Sequence, residues 1–222
     1  MTDYKFPLKE RFNVAEGTTA FVFQASNFTF RAGQYVEIIL ETMERHFSIA
    51  SGPNDQDILM IATRMRDSAF KKTLAEIPLG TPVKIKGPKG NFTLHEDPAK
   101  KAVFIAGGIG ITPARSIIKD ATERMLPHKI SLIYLNRNPE SAVFLEDLKN
   151  WEKENPNLKL CLRMTEQEGR LDTDFIRKCA GDLSNTTFYV VGPPEMVQGV
   201  TKILEESGVS RDDMRFEEFT GY

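Results

Sequence analysis

One stretch constrains this chain more than any other: Ala106-Gly107-Gly108-Ile109-Gly110-Ile111-Thr112-Pro113. Before it, residues 101–106 (KAVFIA) read as a buried strand. After it, residues 113–125 carry apolar positions at helical spacing. Strand, glycine turn and helix in that order aim backbone N–H groups and a helix N-terminus at one point, which suits a phosphate. Glycine removes the Cβ atoms that would block a ligand and permits positive φ in the turn. Thr112 is expected to cap the helix and Pro113 to take its first position, where no N–H partner is needed. The candidate cradle is therefore Gly107, Gly108, Gly110, Thr112 and Pro113. Pro113 stands where the common GxGxxG pattern has its third glycine, and the turn taken alone also fits an ordinary tight turn.

The rest of the chain supplies context. Residues 1–97 read as β structure, with strands near 6–12, 18–25, 34–40, 46–50, 57–63 and 82–87. Glu16-Gly17, Ser26-Asn27 and Ala32-Gly33 are turn signals between them. Six short strands at near-regular spacing suggest a closed antiparallel barrel, which leaves no free edge. One helix interrupts, Ser68 to Glu76, with Ser68 as its N-cap and Pro78 as its stop. From residue 98 the rhythm changes. Strands near 102–106, 130–135, 158–163 and 187–191 alternate with helices near 113–125, 140–153, 172–180 and 194–207. A last run, Asp213 to Phe219, reads as an edge strand. The expected fold is thus an N-terminal antiparallel β-barrel (1–97) followed by a five-stranded parallel, doubly wound α/β domain (98–222). The polar segment His95 to Lys100 is the expected linker. A second domain beside the carboxyl edge of a parallel sheet makes a cleft, where cofactors favour sitting.

Charge and cysteine usage exclude several classes. A net charge of −2 gives no case for nucleic acid. No run of ~18 apolar residues marks a membrane span, and residues 1–7 carry no signal-peptide pattern. Cys161 and Cys179 are too few for an iron–sulfur or structural zinc site, and His46, His95 and His128 lack ligand spacing. The expectation is a cytoplasmic, metal-free protein, a monomer or weak dimer.

Three further stretches carry chemistry. In Arg45-His46-Phe47-Ser48, alternation puts Arg45 and Phe47 on one face of a strand. A cationic fork beside an aromatic plate suits a phosphate next to a flat ring, and Ser48 can bond a ring nitrogen. The turn Gly87-Pro88-Lys89-Gly90-Asn91-Phe92 can let backbone approach a ligand at Gly90. Ala62, Thr63 and Arg64 lead to the Ser68 helix start, whose N-terminus suits a pyrophosphate. Finally, Val191-Gly192-Pro193-Pro194-Glu195-Met196 ends a strand and opens a helix at the same carboxyl edge as the first glycine turn.

These stretches, in this order, resemble the ferredoxin–NADP reductase superfamily over essentially the whole chain. Arg45-His46-Phe47-Ser48 is similar to its flavin motif, Arg-x-Tyr/Phe-Ser/Thr. Gly87-Pro88-x-Gly90-x-Phe92 looks like the turn that closes its barrel, and Ala32-Gly33-Gln34-Tyr35 fits a further barrel element. Gly108-Ile109-Gly110-Ile111-Thr112-Pro113 resembles its nicotinamide-cofactor loop, where proline in the last place is usual. Val191-Gly192-Pro193-x-x-Met196 resembles its Cys-Gly-Pro-x-x-Met motif.

The resemblance implies an FAD-binding barrel, an NAD(P)-binding α/β domain and a flavin ring at their junction. It implies that Arg45 pairs with flavin phosphate, Phe47 lies along the ribityl chain or ring, Ser48 bonds near N5, and Ser68 binds the flavin pyrophosphate. Gly108, Gly110 and Thr112 would cradle the nicotinamide cofactor. Two departures stand out. Val191 replaces the usual cysteine near the nicotinamide, which keeps open a non-enzymatic flavin-binding electron-transfer or regulatory subunit. At the C-terminus, Phe219 and Tyr222 both offer an aromatic to stack on the flavin. Arg137 suits a 2′-phosphate and Glu166 opposes one, so NADH and NADPH stay open. FAD is favoured over FMN by Arg64, Arg66 and Ser68. With no iron–sulfur, globin-like or flavodoxin-like segment expected, electrons leave to a ferredoxin, an oxygenase component or a small molecule. Lys71, Lys72, Lys84, Lys86 and Lys89 offer a basic face for an acidic redox partner or a merely solvated one.

Overall fold

A computed structural model describes residues 3–219. The first six strands are β1 (Asp3–Ala15), β2 (Thr18–Gln24), β3 (Tyr35–Leu40), β4 (Met43–Ser48), β5 (Ile58–Arg64) and β6 (Pro82–Lys89). They form one antiparallel sheet in the order β4-β3-β6-β1-β2-β5. Its two edges meet just past β4. There the Ala50 N–H donates to Met60 O at 2.7 Å, and the Met60 N–H donates to the Ser51 hydroxyl at 3.0 Å. This curls the sheet into the expected barrel.

Strand alternation decides what each face does. On β2, Phe21 and Phe23 point inward and join Leu8, Ile38, Leu59 and Ile85 in the barrel core. Ala20 and Val22 point outward and, with Met60 and Ala62 of β5, belong to a different core. The helix α1 (Ala69–Glu76) plugs the barrel with Phe70 and Leu74. Ser68 is its N-cap, and its hydroxyl makes no capping bond.

The second half holds β7 (Lys101–Gly107), α2 (Ile111–Glu123), β8 (Ile130–Asn136), α3 (Leu145–Glu154), β9 (Leu158–Met164), α4 (Thr165–Glu168), α5 (Thr173–Ala180), β10 (Thr186–Gly192), α6 (Pro194–Glu206) and β11 (Met214–Glu218). The five strands pair in parallel in the order β11-β10-β7-β8-β9. Phe104, Leu132, Tyr134 and Tyr189 face α2 and α3, while Val103, Ile105, Ile133 and Val190 face α5 and α6. The first of these cores also takes in Ala20, Val22, Met60 and Ala62 of the barrel. One apolar body therefore runs through both halves. The chain winds outward from β7 to β9 and then returns to β10, so winding reverses between β7 and β10. Ligands of open α/β sheets bind at such a reversal.

Two local expectations are corrected. A single 3-10 turn, Gly108–Gly110, precedes α2, and Gly110 is the N-cap. Thr112 and Pro113 lie inside the first turn rather than at the cap and first position. The cause is Gly108, whose φ of 53° lets the chain coil early. The helix expected from residue 140 begins at Leu145, because Asn138 caps a separate short turn, Pro139–Ser141. The linker is not loose. His95 Nδ1 accepts from the Tyr189 hydroxyl at 3.0 Å, and Nε2 donates to Lys100 O at 2.8 Å.

Candidate active site at the junction of barrel and sheet

Two cavities meet at the reversal point, with Arg64 and Ile109 as their common wall. The first, about 650 Å³, lies on the barrel side. Arg45, His46, Phe47 and Ser48 of β4, Ala62 and Thr63 of β5, Ser68, Thr112 and Phe219 line it. The second, about 570 Å³, lies over the parallel sheet and is lined by Gly107, Gly108, Arg137, Pro193 and Met196. Both have the size of small-molecule sites.

On the barrel side, the Phe47 ring stacks on Phe70 at 5.7 Å, and the Arg45 guanidinium lies 6.0 Å from the same ring. Strand alternation thus gives one face with a cation and an aromatic plate. Arg64 and Lys71 line this cavity with the free Ser68 hydroxyl, and Arg66 lines the second cavity. Burial, then Arg66 and Arg64, hold the Lys71 ammonium below its usual range. A crowd of cations beside a helix N-terminus is a seat for an anion.

One polar feature of this cavity is a pair absent from the sequence reading. The Ser48 hydroxyl donates to Glu217 Oε1 at 3.2 Å, joining β4 of the barrel to β11 of the other domain. Glu217 Oε2 is buried with no partner. Burial pushes this carboxyl up to about 7, against the lowering effect of the Ser48 bond. The only signal in the sequence is a carboxylate two places before Phe219, in a strand whose partner, Val191, lies directly alongside.

On the sheet side, glycine loops after β7 and β10 press together. A Cβ on Gly110 would lie 2.8 Å from Val191 O, and one on Gly107 would lie 2.3 Å from Met196 Sδ. Pro193 forms the other lip, while Gly192, like Gly110 and Pro113, packs behind the wall and lines neither cavity. Val191 is fully buried in the shared core, and Phe219 packs against that core. The Phe219 N–H donates to Gly192 O at 3.0 Å. Arg137 and Arg170 border the second cavity, whereas Glu166 does not. The Glu166 carboxylate instead accepts from Asn138 Nδ2 at 3.4 Å.

Several expected residues lie elsewhere. Gly87 is packed on Val36 and Gly90 on Tyr35, while Phe92 meets Tyr189 edge-on at 5.5 Å. That turn closes the barrel and borders neither cavity. Tyr222 lies outside the described residues. The basic face is also locally neutralised. Lys72 pairs with Asp67, Lys84 with Asp3, Lys86 with Glu44 and Lys89 with Glu37, and Lys71 turns inward to Arg64 O. Glu37, Glu44 and His46 gather three ligand-type groups. These are already committed to Lys89, Lys86 and, for His46, Glu37.

Residues 5–94 match the family of oxidoreductase FAD-binding domains, and residues 104–202 match the oxidoreductase NAD-binding domain. The chain belongs to the ferredoxin–NADP reductase superfamily. Among relatives of this superfamily, reductase component 2 of terephthalate 1,2-dioxygenase from Comamonas sp. is 28% identical over 200 residues, 86% of this chain. This chain spans 59% of that relative's length. Cytochrome P450 reductase GcoB from Amycolatopsis superposes with a TM-score of 0.86 at 23% identity, over 99% of this chain and 70% of that one. Ferredoxin–NADP+ reductase from Plasmodium falciparum gives 0.81 at 17%, over 98% and 96%. These structures share the fold.

The residues present fit the FAD of such a reductase. The unpartnered Glu217 oxygen, the free Ser68 hydroxyl, Arg64 and Lys71 line one cavity and suit a polar, anionic ligand. Arg45→Ala is expected to weaken FAD retention roughly 10-fold, as for loss of a charge-assisted bond. Equilibrium dialysis of the yellow protein measures this, and unchanged affinity would refute a phosphate role for Arg45. Among the described residues, no helix is long and apolar enough to cross a membrane.

Proposed function

We propose that this chain is a flavin reductase module that takes hydride from NAD(P)H onto bound FAD and passes electrons to a separate acceptor. The Ser48–Glu217 bond across the domain junction carries this reading. It puts a hydroxyl and a buried, near-neutral carboxyl where the barrel cavity meets the end of β10. When bound, FAD supplies the redox chemistry, since it accepts an electron pair and can release it singly.

The chain's own residues supply binding, alignment and a proton path. Ser68, the N-terminus of α1, Arg64, Arg66 and Lys71 hold the flavin pyrophosphate. Arg45 takes a phosphate oxygen, and Phe47 and Phe219 wall the ring. Ser48 presents its hydroxyl to a ring nitrogen, and Glu217 gives or takes a proton at Ser48 Oγ. The amides of Gly107 and Gly108 seat the coenzyme pyrophosphate, with Pro193 and Met196 as the opposite lip, and Gly110 and Gly192 hold the two loops together behind it. Val191 lines the junction as apolar packing. The module division falls at residues 97 and 98.

Arg137 and Arg170 beside the second cavity support NADPH over NADH, because Glu166 is turned away from it. We take the acceptor to be an oxygenase component or ferredoxin-type carrier, a reading supported by the relative named as a dioxygenase reductase component. The paired lysines of the barrel argue against a simple basic docking face. A cytoplasmic monomer or weak dimer fits two free cysteines and scattered exposed apolar residues, Phe12, Leu79 and Met125.

Anaerobic stopped-flow mixing with each coenzyme tests the proposal. The purified protein is expected to be yellow, to be bleached by NADPH, and to prefer NADPH over NADH. Arg137→Ala is expected to lower that preference roughly 10-fold. A protein that takes up no FAD sinks the whole reading. Bound flavin that neither coenzyme reduces would leave a flavin-binding electron-transfer subunit.

A further inference from the structure

Arg115 is buried on α2, one turn beyond the glycine loop, and takes no part in either cavity. Its three donor nitrogens are all engaged. Nη1 donates to Ala50 O, at the exit of β4 and two residues past Ser48. Nε and Nη2 both donate to Asp147 Oδ2 of α3, at 3.2 and 2.6 Å. The guanidinium also lies 4.3 Å from the Phe144 ring centroid and 5.1 Å from that of Trp151. Two aromatic rings pack against the fork, and the fork ties α2 to the Ala50 carbonyl and to Asp147 of α3.

Neighbours on the same helix face extend the grip. The Ser116 hydroxyl donates to Ser51 O at 2.7 Å, Lys119 pairs with Asp55, and Gly52 lies close against the Lys119 stem. The Ala50 N–H is held from the other side by Met60 O, and the Ile49 N–H by Gln34 O. The segment carrying Ser48 is thus fixed relative to α2, and α2 starts at the coenzyme loop.

We infer that Arg115 is a positioning residue for hydride transfer: it sets the register between the Ser48 segment and the glycine loop, without touching either cofactor. This rests on the proposed reductase function. Reacting atoms held in the barrel and over the sheet keep their alignment only if the two domains do, and a displacement of about 1 Å can cost ~10²-fold in rate. Lysine keeps the charge and most of the stem but offers a single point in place of a fork. It can therefore reach Ala50 O or Asp147, and not both.

The test compares Arg115→Lys with Asp147→Asn, which removes the charge of a partly exposed partner but keeps an oxygen for the fork, and far-ultraviolet dichroism checks that both variants fold. In both variants FAD affinity and the KM for NADPH should stay within about twofold of wild type. The rate of anaerobic flavin reduction should fall ~10-fold or more, and the long-wavelength charge-transfer absorbance of the coenzyme–flavin complex should weaken. The visible circular dichroism of bound FAD should change while the far-ultraviolet spectrum does not. Wild-type rates and wild-type visible dichroism in both variants would overturn the inference. So would a rate loss that merely follows FAD loss. Should the wild-type flavin resist both coenzymes, the proposed function fails instead, and the dichroism still decides the role of Arg115.

Discussion

Glu217→Gln is expected to abolish an ionisation near pH 7 in turnover with an external acceptor, and to lower the plateau rate ~10²-fold, a usual size for one acid–base group. The carboxyl sits at the domain junction, burial holds its proton up to about pH 7, and its partner among the described residues is the Ser48 hydroxyl. Ser48→Ala should break the same path while leaving the flavin bound. It should also push Glu217 higher still, because the Ser48 bond favours the ionised form. A pH profile of the glutamine variant that still shows the ionisation would assign it to another group.

The same substitution has a signed effect on stability. Folding raises the carboxyl from 4.5 to about 7. The folded state therefore favours the protonated form, and this contribution is complete below pH 4.5. It is lost as pH rises through about 7, a change of ~3 kcal/mol at 1.36 kcal/mol per unit. Glutamine keeps the shape and cannot ionise. At pH 8 the flavin-free variant should melt above flavin-free wild type, and at pH 5 the two should nearly coincide. His95, held low by burial, slopes the other way, losing stability below pH 6.5. Comparing the two proteins cancels that term. Equal melting temperatures at pH 8 would contradict the buried placement of Glu217.

Gly110→Ala is the second large effect expected. The φ of Gly110 is −59°, which any residue adopts, so the constraint is space alone. An added methyl would meet Val191 O at 2.8 Å and Gly192 Cα at 2.9 Å. Both are backbone atoms that cannot swing aside, and overpacking of this kind costs about 1–3 kcal/mol. The two loops should part, raising the KM for NADPH ~10-fold or more while FAD stays bound. Gly108 is the converse. Its φ is 53° with nothing within 4 Å of where a side chain would begin, so Gly108→Asn should cost the fold far less. Thermal melts of the two flavin-free variants read the contrast. Equal melting temperatures would refute the spatial argument.

What could be read from the sequence was what is local. Alternation along β4 put Arg45 and Phe47 on one side, and both lie against Phe70. The apolar run 101–106 is a strand because both its faces are covered, by α2 on one side and α6 on the other. The loops after β7 and β10 were legible as glycine turns at one sheet edge. The start of α2 was not, because Gly108 conformation, not the capping preference of Thr112, decides where coiling begins. Nor was Glu217. Its meaning comes from Ser48, 169 positions away, and an acidic residue near a chain end looks solvated until the strand beside it is known. Arg115 escaped for the same reason, since an arginine on a helix implies nothing until Ala50 and Asp147 converge on it. The turn at Gly87 to Phe92 was legible as a turn, but not its place away from both cavities, because a residue that holds the barrel shut and one that lines its mouth carry the same glycines.

The apolar body that runs from Ala20 and Val22 through α2 to Tyr189 has a bearing on inheritance. A barrel borrowed from another member of the superfamily would bring its own outward-facing side chains to a helix face shaped for these small ones. Recombination at the linker is therefore not free. Whatever lineage traded modules at that point had to carry the matching face of α2 across as well, or rebuild it afterwards.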